Sequence, residues 1–77
     1  MRIFEIETRH FDFRIVAKDK EHFEKLFRAF WPKHLESCGR DFDPEDPEDA
    51  QYLNEIISDA WSYEVREGIY RDGDFIQ

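Results

Sequence analysis

What the chain lacks narrows its class before any motif is considered. Its only cysteine is Cys38, so a disulfide framework is excluded. It has three glycines, no two of them in a shared motif, so no phosphate-cradling loop can be assembled. No apolar run approaches the roughly 20 residues that span a bilayer. The opening Met1-Arg2-Ile3-Phe4-Glu5 lacks the uninterrupted apolar stretch of a signal peptide, and a cytosolic protein is expected (host cytosol if phage-encoded). Basic residues are also scarce after Arg40, where only Arg66 and Arg71 remain.

What is present points to one small folded unit. A length of 77 residues predicts a single domain, too small for an enclosed cofactor cavity. Charged residues make up 39% of the chain, a fraction that alone would suggest disorder, but 17% are aromatic, and aromatic rings bury the most area per core position. The net charge of −8 is unevenly spread. Residues 1–40 carry nine basic and seven acidic side chains, whereas residues 41–77 carry two basic and twelve acidic ones. From Asp41 to Glu64 nine acids occur without a base. Such a field repels nucleic acid and membrane surfaces and attracts basic protein surfaces. Solubility alone would not require the charge to sit in one half.

The hydrophobic pattern predicts an α+β fold. Phe4 and Ile6 alternate with Glu5 and Glu7, and Phe11, Phe13, Ile15 and Ala17 alternate with Asp12, Arg14 and Val16, the period of strands. The short gap at Thr8-Arg9-His10 makes them an antiparallel hairpin of undetermined turn type. Asp19 suits a helix N-cap, and Phe23, Leu26, Phe27, Phe30 and His34 form an apolar helical stripe. Because Pro32 removes a helical hydrogen bond, the first helix is expected over about residues 20–31, then a kink or short turn stopped by Gly39. An acidic connector, about residues 40–47, leads to a second helix with Asp46 as cap, Pro47 in the first turn, and Leu53, Ile56, Ile57 and Ala60 inward. That helix is expected to reach about Arg66, although Trp61, Tyr63 and Val65 alternate as a strand would. Asp72-Gly73 predicts a turn near a short C-terminal strand or hairpin.

Catalytic and metal-binding patterns are thin. His34 and Cys38 have helical i, i+4 spacing, but His10 and His22 complete no ligand set, and no orienting group or oxyanion loop accompanies the pair. His34 reads instead as the end of the apolar stripe, and Cys38 as a small, partly buried hydrophobe. Asp41, Asp43 and Glu45 resemble the start of a calcium loop, but Asp46 stands where the turn needs glycine and Tyr52 where a bidentate glutamate belongs. No metal, cofactor or enzymatic activity is expected.

The remaining constellation is acidic. Glu48, Tyr52, Glu55 and Asp59 recur at i, i+4, i+7 and i+11, a stripe about 16 Å long opposite Leu53 and Ile57. Asp41, Asp43, Glu45, Asp46 and Asp49 extend it through the connector. A merely solvated face would mix signs for i, i+4 support, and this one does not. In size, in its hairpin–helix opening from Ile3 to Phe30 and in the acidic segment from Asp41 to Asp59, the chain resembles the small acidic phage and mobile-element inhibitors known as anti-CRISPRs and DNA mimics. The resemblance implies a host nucleic-acid-handling complex as target, such as a CRISPR effector complex. The function expected is a non-enzymatic inhibitor that covers a basic, nucleic-acid-binding surface. The alternative is an interaction module that homodimerises through exposed aromatics, with Trp31, Phe42, Trp61 and Tyr70 as candidates.

Overall fold

The computed structural model describes residues 1–66 and 68–76. Strands β1 (Arg2–Glu7) and β2 (Asp12–Ala17) are followed by helices α1 (Lys20–Ser37) and α2 (Pro47–Ser58), then by β3 (Trp61–Glu64) and β4 (Phe75–Ile76). The strands form one antiparallel sheet in the order β3-β1-β2-β4, so the N-terminal hairpin is central and the C-terminal strands flank it. The fold is therefore the expected α+β domain, a hairpin packed against two helices with further C-terminal strands. No described helix is long and apolar enough to cross a membrane.

The hairpin pairs Arg2 with Ala17 through Glu7 with Asp12, which puts Phe4, Ile6, Ile15 and Ala17 on the helix side. Its turn has no glycine and is held by Thr8 instead. The Thr8 amide donates to the Phe11 carbonyl at 2.9 Å, and the Thr8 hydroxyl accepts from the Phe11 amide at 3.0 Å. Phe11 thereby falls in the turn rather than in β2, and it is 49% exposed, not part of the inward row that alternation predicts. The opposite face also buries Ile3 and Val16, with Tyr63 in register beside Ile3.

Asp19 caps α1, accepting the His22 amide at 2.8 Å. The helix does not stop at Trp31. It continues through Pro32 to Ser37 and ends where Arg40 N–H donates to the Leu35 carbonyl at 2.8 Å and Gly39 takes φ 79°. These are the features of a glycine-terminated C-cap. Pro32 removes one N–H, yet a continuous helix lets Trp31 pack on the core and places Leu35 and His34 beside it. Packing on both sides of the proline outweighs the local cost of about 3 kcal/mol.

The second helix is shorter than expected. It ends at Ser58, and after Asp59 and Ala60 the chain becomes β3, so residues 61–64 are strand rather than helix. The alternation of Trp61 and Tyr63 decided this, because an edge beside β1 supplies the backbone with partners that an extended helix would have had to make alone. At the C-terminus, Asp74 N–H donates to the Arg71 carbonyl at 3.1 Å across Asp72-Gly73, with Gly73 at φ 90°. This turn feeds β4 onto β2, not into a hairpin of the tail with itself.

Candidate functional site

The acidic residues lie on the connector and on α2. Asp46 caps α2 by accepting the Glu48 amide at 2.9 Å. Asp49 reaches back to accept the Asp43 amide at 3.1 Å, and the Asp43 carboxylate accepts the Glu45 amide at 2.9 Å. The connector is thus folded by its own carboxylates onto the first turn of α2, where the helix dipole favours negative charge. Asp46 and Asp49 are half-buried by these roles, whereas Asp41, Asp43, Glu45, Glu48, Glu55 and Asp59 are exposed. Asp59 follows the last helical residue and is the C-cap, its amide donating to the Glu55 carbonyl at 2.9 Å.

Tyr52 does not share the exposed stripe. Its hydroxyl accepts the Arg9 amide at 3.0 Å, the Arg9 guanidinium lies 5.0 Å from its ring centroid, and the ring packs 6.1 Å from Trp31. Tyr52 is therefore a joint between α2 and the hairpin turn, and the carboxylates fall on either side of it. Arg28 of α1 also reaches α2, donating to Asn54 Oδ1 at 2.8 Å. Two arginines from distant positions thus border a helix that has no base of its own.

Charge on this surface is left unpaired. The ion pairs among the described residues are Arg2–Glu64 and Arg14–Glu5, with a His22–Asp72 contact at 3.4 Å, and none uses a carboxylate between Asp41 and Asp59.

Beside the connector lies a cleft of about 550 Å3 between the hairpin turn, the end of α1 and the start of α2. Cys38 and His34 meet there, with Sγ 3.8 Å from Nε2. The pair has the approach of a nucleophile and its base, but among the described residues no carboxylate or carbonyl hydrogen-bonds the second ring nitrogen of His34 to orient it. His34 is packed against aromatic rings as the apolar stripe predicts, edge-on to Phe11 and Phe13 and stacked near Trp31. Cys38 is exposed, not partly buried, because it caps α1 at the rim of the cleft.

The aromatic candidates separate in the same way. Trp31 is only 4% exposed and belongs to the core, since the uninterrupted α1 turns it inward. Phe42 packs against the core as well, and Tyr70 is half-buried. Trp61 remains 55% exposed, and Tyr63, absent from the candidates read in the sequence, lies 5.7 Å from it at 36% exposure. Its period-2 spacing from Trp61 was the available signal. No family model matches the chain, and no curated protein or solved structure matches it either.

Proposed function

We propose that the chain is a non-enzymatic acidic inhibitor that covers a basic, nucleic-acid-binding protein surface, such as one on a host nucleic-acid-handling or CRISPR effector complex. The observation that carries this reading is the run of carboxylates from Asp41 to Asp59 that enters no ion pair among the described residues. Carboxylates that hold no ion pair within the protein are available to lysines and arginines that would otherwise hold phosphates. Exposed Glu48, Glu55 and Asp59 on α2, with Asp41, Asp43 and Glu45 of the connector, form the contact surface. Asp46, Asp49 and Tyr52 hold it in shape.

The test is competition. Purified effector complexes are loaded with nucleic acid in the presence of the parent or of the triple variant Glu48→Lys, Glu55→Lys, Asp59→Lys. The parent reduces loading and the variant does not, because each reversed group meets a like charge in the complex. A control reversal of Asp12, Glu21 and Glu24 in the mixed-sign half retains inhibition. Equal inhibition by the folded triple variant and the parent would sink the proposal. A second reading, a homodimer through exposed aromatics, is favoured by the exposed Trp61–Tyr63 pair. Sedimentation across protein concentration tests it.

A further inference from the structure

The cleft between the hairpin turn, the end of α1 and the start of α2 has walls that are tied to one another. The Tyr52 hydroxyl accepts the Arg9 amide at 3.0 Å and joins α2 to the turn. The turn itself is closed by Thr8 on Phe11. The connector is tied at both ends, where the Arg40 amide donates to the Leu35 carbonyl at 2.8 Å and Asp49 accepts the Asp43 amide at 3.1 Å. A space of about 550 Å3 between segments anchored in this way falls in the usual range of small-ligand sites.

The lining combines aromatic rings with charges of both signs. Phe11 is 49% exposed and belongs neither to the core cluster nor to the side chains packed on it. Its ring stands edge-on to His34, with centroids 5.1 Å apart. A planar ring can stack on or meet such a pair edge-on, which an aliphatic chain cannot do. Arg9 and Arg40 bring guanidinium groups to the cleft, and Asp41 and Glu48 bring carboxylates. All four residues are exposed, and none of them enters an ion pair among the described residues. The Arg9 guanidinium is steadied 5.0 Å from the Tyr52 centroid by cation–π attraction.

Opposite charges that line one cleft without meeting leave room for a ligand between them. Their balance also selects the ligand's charge. A plain anion would face two carboxylates and a plain cation two guanidinium groups, whereas a zwitterion finds a partner for each end. The geometry points to a site for a free α-amino acid with an aromatic side chain. Arg9 and Arg40 take its carboxylate, Asp41 and Glu48 its ammonium group, and Phe11 and His34 its ring. The site does not depend on the acidic-surface reading and stands whether or not a basic partner exists.

The probes are L-phenylalanine, 3-phenylpropionate, phenethylamine and L-leucine, titrated into the intact protein near neutral pH with amide chemical shifts and calorimetry as readouts. L-Phenylalanine shifts the amides of Arg9, Phe11, Cys38 and Phe42 saturably, with a dissociation constant of about 1 mM, as its small size allows. Phenylpropionate lacks the ammonium group and phenethylamine the carboxylate, and each binds about tenfold more weakly, the loss of one charge-assisted hydrogen bond. L-Leucine, which keeps both charges without a ring, is weakened similarly. Arg40→Gln weakens L-phenylalanine but not phenethylamine, and Glu48→Gln weakens L-phenylalanine but not phenylpropionate, because each control ligand never engaged the lost side chain. Absence of saturable shifts at tenfold that concentration overturns the site. Equal binding of either singly charged probe overturns the zwitterionic class, and equal binding of L-leucine overturns the aromatic one. Shifts confined to Trp61 and Tyr63 place the ligand on the β3 rings and overturn the assignment to the cleft.

Discussion

Phe27 is surrounded by aromatic rings. Its ring lies within about 6 Å of those of Phe13, Phe23, Phe30 and Trp31, and it is fully buried. Truncation to alanine would leave a cavity that a fold this small cannot close, at a cost of about 3–5 kcal/mol. That is most of the stability of a small domain, so Phe27→Ala is expected to be largely unfolded in chemical denaturation at 25 °C. A melting curve like the parent's would show that the core is organised around another residue. Cys38 is the opposite case. It is exposed, and its thiol approaches the His34 ring at 3.8 Å. Cys38→Ser is expected to change stability by less than about 0.5 kcal/mol and to leave partner inhibition intact. Loss of inhibition in the folded variant would bring the thiol into the mechanism.

At the level of elements, two helix ends show how tertiary contacts overrule local preference. Pro32 lies inside α1 and cannot donate to the carbonyl one turn earlier. If core packing is what carries the helix past it, Pro32→Ala restores the missing bond and raises stability by about 1–3 kcal/mol, measured by denaturant midpoint at unchanged slope. Unchanged or lowered stability would mean that the half-buried ring contributes packing equal to the bond it removes. Helix α2 stops at Ser58 for a different reason. Residues 61–64 have helix-compatible neighbours but gain a ladder with β1, reinforced by the Arg2 side chain, whose Nε donates to Ser62 Oγ at 3.0 Å. This switch from helix to strand completes the sheet on the β1 side.

Across the whole molecule, charge acts locally rather than as a sum. The longest dimension is 38 Å, whereas the Debye length is about 8 Å at physiological ionic strength. The carboxylates of the connector and α2 therefore act as a patch whose field is set by near neighbours, Arg9 and Arg28 among them. Binding through this patch is expected to weaken steeply between 0.1 M and 1 M salt, as the screening length falls from about 10 Å to about 3 Å. Titration of the inhibited complex across that range checks it. An affinity independent of salt would point to the aromatic pair on β3 as the main contact.

The hairpin, both helix caps and the acidic bias are legible in the sequence because each is local. Period-2 alternation, Asp19 and Asp46 before helical runs, and the absence of bases from Asp41 to Glu64 are properties of neighbouring residues. Tertiary structure alone decided the rest. Arg9 is far from Tyr52 along the chain, and only the folded hairpin turn lays it over the ring and breaks the acidic stripe. Trp31 is core rather than surface because packing on both sides of Pro32 keeps α1 whole. Residues 61–64 become an edge strand because β1 has a side left to pair; the alternation of Trp61 and Tyr63 permits a strand, but only pairing with a segment some sixty residues away selects it over helix.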